Sequence, residues 1–146
     1  MAGSLRCSAI FSSFNSIGPS TRFAPIEGRV RKPVGTIFIP DLLVVPTAYG
    51  EPFRGRPGVP AIFSGPLPLV VEVWSSTGDY DLDAKLPVYQ QRGDLEIWRI
   101  HPYERTLTSW QRQPDGSYQE TIHRGGSVTP IALPGVTIDL NALWAA

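Results

Sequence analysis

The sequence predicts an α/β domain: a mixed, mostly antiparallel sheet flanked by helices. Three observations support this. Two short β-branched apolar runs, residues 39–45 and 67–73, read as buried strands. The segment between Ser75 and Gly93 places Leu82, Leu86 and Tyr89 on one helical face. From residue 95 onward, short alternating runs separated by Pro, Asp and Gly read as strands joined by tight turns.

The elements follow in order. Residues 4–17 set Ile10, Phe14 and Ile17 at helical spacing, stopped by Gly18-Pro19. Residues 22–34 hold an edge strand and the densest basic patch, Arg29, Arg31 and Lys32. The run at 39–45 follows, with Pro40 at its start, where a missing N–H costs little. Residues 46–66 are crowded with Pro and Gly and read as a loop. Loops that long in a compact domain are often functional. Arg54 and Arg56 at its tips are candidates for phosphate contact, and two plainly solvated arginines are the alternative.

The second apolar run is followed by Ser75-Ser76-Thr77-Gly78-Asp79, rich in N-caps, and a helix to about Arg92 with Gly93 as its stop. Pro87 conflicts with that helix, since an interior proline costs ~3 kcal/mol. Residues 95–100 form a strand, 102–105 a turn and 106–111 the next strand. Pro114-Asp115-Gly116 is a hairpin turn and 117–122 the returning strand. Trp98 and Trp110 belong to the core. His101 and His123 fall at strand ends or turns. Residues 138–140 lead into a last helical turn on which Trp144 docks.

Composition sets bounds. The 146 residues suffice for a single domain, 1–146, with its own core. Thirteen basic and thirteen acidic residues balance, so no broad basic surface announces a nucleic-acid partner, though a local basic cleft is compatible with that balance. One cysteine, Cys7, excludes an internal disulfide and a cysteine-rich zinc site. A reducing, cytoplasmic location is expected. No run approaches the ~20 apolar residues of a membrane span.

Two acids stand out because they lie in apolar strands: Asp41 at the entrance of the first, Glu72 inside the second. An unpaired buried carboxylate is costly, so such groups are neutralised, paired or metal-bound. Neighbouring strands lie ~4.8 Å apart, which would let the two converge on one divalent cation. Hard oxygen donors favour Mg²⁺, with Mn²⁺ as a substitute. Lys85 follows on the helix; a surface pair with Asp81, four residues before it, is the plain alternative.

The ordered set resembles a known family. Pro40-Asp41, Val71-Glu72-Val73, Ser75-Ser76-Thr77, Asp81 with Lys85, Tyr89, Ile97-Trp98-Arg99-Ile100-His101-Pro102 and Leu133-Pro134-Gly135-Val136-Thr137-Ile138-Asp139-Leu140 are similar to the Uma-type restriction endonucleases. These belong to the PD-(D/E)xK nuclease superfamily. Its simplest members carry the lysine two residues after the glutamate, where this chain has Trp74. In the Uma type the lysine has moved to the following helix. Set against the family, His101 stands where an Asp is common, and the leading region is short.

The resemblance implies a restriction-endonuclease-like core and Mg²⁺-dependent hydrolysis of phosphodiester bonds, in DNA first of all. Asp41, Glu72 and the backbone carbonyl of Val73 would hold the metal. Lys85 would orient or help deprotonate the attacking water. Beside such a cleft Arg54, Arg56, Arg31 and Lys32 are candidates for DNA contact, with a solvated basic face as the alternative. Homodimerisation stays open. The rival is a catalytically inactive nuclease-fold interaction module, favoured by the neutral charge, Trp74 and Pro87. A sugar- or nucleotide-binding domain has only the Pro/Gly loop behind it.

Overall fold

The computed structural model describes residues 23–26, 29–31, 37–38, 40–50, 55, 62–74 and 79–145. The helix expected over residues 4–17, and also Lys32, Arg54 and Arg56, lie outside the described residues.

In chain order the described elements are β1 (Phe23–Ile26), β2 (Arg29–Arg31), β3 (Ile37–Phe38), β4 (Leu42–Pro46), α1 (Thr47–Gly50), β5 (Ile62–Phe63), β6 (Leu69–Val73), α2 (Asp79–Arg92), β7 (Glu96–His101), β8 (Thr106–Arg112), β9 (Tyr118–His123), β10 (Ser127–Val128), β11 (Ile138–Asp139) and α3 (Leu140–Ala145). Six strands form the main sheet in the order β1-β4-β6-β7-β8-β9. β6 and β7 are parallel and are joined through α2, whereas the other neighbours in this sheet are antiparallel. A parallel pair needs such a crossover, and a helix is its usual form. The sheet is therefore mixed and mostly antiparallel, as the sequence predicts.

Pro25 is tolerated in β1 because that strand is the sheet's edge among the described residues. Residues 22–34 contribute two strands, β1 and β2, where the sequence suggests one. β2 leaves the main sheet to pair with β3 and β5. Within the expected loop at 46–66 the structure places α1 and β5. Each is too short to leave a periodic signature in sequence.

The core lies on both faces of the main sheet, as period-2 alternation dictates. On one face Leu42, Val44, Leu69, Val71, Trp98, Ile100 and Leu107 pack against the closing segment through Leu133, Ile138 and Leu143. On the other, Leu43, Val45, Val70, Ile97 and Trp110 pack under α2 through Tyr89. Trp98 and Trp110 thus serve opposite layers, and strands covered on both faces explain the continuous apolar runs. Trp144 packs at the edge of the first layer, and its indole N–H donates to the Arg124 carbonyl at 3.1 Å.

α2 runs through Pro87. Pro87 and Asp83, whose carbonyl loses its i+4 donor, are both exposed, so water can serve that carbonyl. Gly93 ends the helix in the left-handed region, at φ 78°. The hairpin between β8 and β9 closes on Gly116 at φ 87°, with the Asp115 carboxylate accepting from Ser117 N at 2.9 Å.

The end of α2 is tied down by a buried ion pair. Arg92 Nε lies 3.2 Å from Asp94 Oδ2, and Asp94 is fully buried. Arg92 also donates to the carbonyls of Phe63 (3.1 Å) and Gly65 (2.7 Å), and Asp94 Oδ1 accepts from Leu67 N at 2.7 Å. One charged pair thereby fixes the approach of the chain into β6.

Candidate active site

The site is built where β4 and β6 meet beneath α2. Leu42 is opposite Val71 and Leu43 opposite Val70, so continuing the register by one residue sets Asp41 across from Glu72. The alternation puts both on the α2 face, with Leu43 and Val70. The junction is closed by the side chain itself: Asp41 Oδ2 accepts from Val73 N at 2.7 Å. Asp41 is exposed and Glu72 buried.

Glu72 meets two groups from α2, one helical turn apart. Lys85 Nζ is 3.2 Å from Glu72 Oε1, and the Tyr89 hydroxyl donates to the same oxygen at 2.5 Å. Lys85 is 7 % exposed, which decides against the surface pair with Asp81 as its main setting. Its ammonium also stands 5.7 Å from the centre of the Phe38 ring.

Burial drives the Glu72 carboxyl up from the ordinary range to about 7. The Tyr89 hydrogen bond and the Lys85 charge oppose this, and the Asp41 charge adds to it. The Tyr89 phenol is pushed far upward, by burial first and by Glu72 second, so it stays protonated and serves as a donor.

The donor set suits a hard cation. The Lys85 and Tyr89 contacts of Glu72 fall on Oε1, and the backbone donor to Asp41 falls on Oδ2. Carboxylate oxygens are the ligands such a cation prefers. Among the described residues no group of three or more His, Cys, Asp and Glu gathers at one point. Mg²⁺ is commonly held by one or two carboxylates and keeps several waters, so two acids are an adequate protein contribution.

Of the sequence candidates, Asp41, Glu72, Val73 and Lys85 are brought together. The side chains of Arg31 and Asp81 lie outside the described residues, as do Lys32, Arg54 and Arg56 altogether. Trp74, in the position of the simple motif's lysine, stacks on His101 with ring centres 4.4 Å apart. Tyr103 meets it edge-on at 5.4 Å. The function of reaching Glu72 falls instead to the helix.

Sequence reasoning missed Arg99, opposite Glu72 in the parallel register. The signal was present: it is a charge inside an apolar strand, between Trp98 and Ile100. It also missed the two acids beside β7. Asp94 holds Arg92. Glu96 accepts from the Trp98 indole at 2.6 Å and from Ile131 N at 2.7 Å, so both are structural.

Among proteins of curated function, none matches this sequence. A crystal structure of a putative nuclease belonging to DUF820, from Anabaena variabilis ATCC 29413, is similar in fold, with a TM-score of 0.78 at 17% identity. The match covers 98% of this chain and 80% of that one. The family described as Putative restriction endonuclease, Uma2, matches residues 4–141, and the chain belongs to that family.

Proposed function

We propose that the protein is a Mg²⁺-dependent endonuclease that hydrolyses phosphodiester bonds in DNA, in the cytoplasm, with Mn²⁺ able to replace Mg²⁺. The observation that carries this reading is the Asp41–Glu72 pair on neighbouring strands, with Lys85 reaching Glu72 from the helix above. Among the described residues, no helix is long and apolar enough to cross a membrane.

Asp41 and Glu72 would bind the cation, and the Val73 carbonyl would add a further oxygen. A cation held there would lower the pKa of water and offset phosphate charge. Tyr89 holds Glu72 in one orientation through its hydroxyl. Lys85 presents a compact, multiply donating ammonium beside the reacting position. There it would orient the attacking water and stabilise negative charge growing on the phosphoryl oxygens. The inactive interaction module remains the rival. The closure of Lys85 and Tyr89 on Glu72 favours it, because those contacts satisfy the buried acid without a metal.

Glu72→Gln separates the two. In the mutant, Mn²⁺ binding by calorimetry should be lost; equal affinity in wild type and mutant would refute the ligand role.

The same substitution tests the electrostatics. In the metal-free protein Glu72 titrates at about 7 rather than 4.5, so between those values the folded state holds more protons than the unfolded. Stability should fall as pH rises through that window and level off above it, by on the order of 3 kcal/mol. Glu72→Gln should remove this component of the slope and be the more stable protein at pH 8. Metal affinity should climb over the same window, since the ligand must be deprotonated. Denaturant unfolding at several pH values reads the first effect and calorimetry the second. A profile identical in wild type and mutant would show that burial does not disfavour the charge.

A further inference from the structure

Arg99 is the unexplained charge of this face. Its place follows from the register: Val70 lies beside Ile97 and Glu72 beside Arg99, with Thr108 next across β8. Ile97 and Trp110 face α2, so Arg99 and Thr108 face it too. Asp41, Glu72, Arg99 and Thr108 therefore form one row across four strands.

Arg99 is half-buried, yet its Nε is sealed from solvent with no hydrogen-bond partner among the described residues. Glu72 beside it does not supply one, because the described contacts of that carboxylate run to Lys85 and Tyr89. A buried donor left unpaired costs more than most hydrogen bonds contribute, and native proteins leave few of them. A fold needing only bulk here would be better served by an apolar side chain.

The half-buried side chain can turn its guanidinium towards a ligand oxygen, which would remove the anomaly. The guanidinium is a planar fork of donors matched to phosphate oxygens. Neighbouring strands run ~4.8 Å apart, so such an oxygen would lie beside Glu72 and within reach of the same phosphate. Charge agrees: Asp41 and Glu72 balance Lys85 and Arg99, so a divalent cation leaves the row positive towards a phosphodiester. In the next row Trp74 stacks on His101.

We propose that Arg99 is a phosphate-binding residue of this site, taking an oxygen of the nucleic-acid backbone at or next to the bond that is cut. This rests on the nuclease reading for its substrate, and the following test separates the two.

Wild type, Arg99→Met and Arg99→Lys, each as the 146-residue chain, are compared by anisotropy with a fluorescein-labelled DNA duplex in EDTA, over a series of salt concentrations. Arg99→Met should weaken binding about tenfold and make the log–log salt slope shallower by about 0.9, the loss of one phosphate contact. Arg99→Lys should restore the slope but only part of the affinity, because the fork is gone. The melting temperature of Arg99→Met should be unchanged or higher, whereas a purely structural arginine would lower it. Unchanged affinity and slope in Arg99→Met would overturn the proposal, and so would a wild type that does not bind the duplex. Plasmid cleavage with Mn²⁺ then separates the readings. Wild-type cleavage with an unchanged Arg99→Met slope removes Arg99 and keeps the nuclease. Arg99-dependent binding without wild-type cleavage keeps the phosphate contact and removes the nuclease.

Discussion

Lys85→Ala is expected to reduce plasmid cleavage with Mn²⁺ by ~10²–10³, about 3–4 kcal/mol of transition-state stabilisation. The geometry makes the expectation sharp. Lys85 is buried at 3.2 Å from Glu72, so its charge is neither screened nor free to wander. Removing it also changes the metal site in a known direction. Lys85 is one of the groups holding the Glu72 carboxyl down, so the mutant's Glu72 should titrate higher than in wild type. Metal binding should therefore be compared over a series of pH values, so that the shifted titration of Glu72 in the mutant is separated from loss of affinity. Once the carboxylate is ionised in both proteins, binding should be retained or tightened, since a competing cation has gone. Loss of cleavage with intact metal binding assigns Lys85 to the reaction. Equal cleavage in mutant and wild type would remove it from the mechanism.

Asp94→Ala should be the most damaging substitution for the fold, costing ~3–5 kcal/mol. The carboxylate is fully buried, pairs with Arg92 and accepts from Leu67 N. Its deletion removes the charge that Arg92 is paired with and leaves a backbone N–H without its acceptor. A loss of that size is a large part of the 5–15 kcal/mol that ordinary domains possess. Asp94→Asn should cost less, because an amide oxygen can still accept from Leu67 N. Urea unfolding measures both; an alanine mutant within 1 kcal/mol of wild type would show that the pair is dispensable. Arg92 and Asp94 should also matter to the site without touching it, since they fix the chain that enters β6.

Much of this was legible in sequence for a physical reason. A charge inside a β-branched run is an expensive exception, and Asp41 and Glu72 announced themselves that way. That their strands are neighbours was a condition the sequence could only pose, and the family resemblance gave Lys85 its role. What stayed hidden depended on register. Tyr89 could be read as apolar packing, but not as a donor to Glu72, until the rotation of α2 was known. Arg99 showed the same sign as Glu72, but its row could not be assigned without the parallel pairing of β6 with β7. Asp94 and Glu96 carried no signal of their roles, because their partners Leu67 and Ile131 lie far away along the chain. β5 and α1 were invisible within the Pro/Gly stretch because neither reaches two periods.

The order of strands in the main sheet has a kinetic corollary. β7, β8 and β9 pair with sequence neighbours through tight turns, so they can zip together early. β4 and β6 must find each other, and β6 must find β7, across long intervening stretches. The acids Asp41 and Glu72 stand on the late-closing half, at the seam between β4 and β6. That half should also be the first to open in the native state, exposing its amides while the β7–β9 meander stays protected. The Asp41–Glu72 pairing should thus be among the last to form, and a cation bridging the two acids would act as a latch on it.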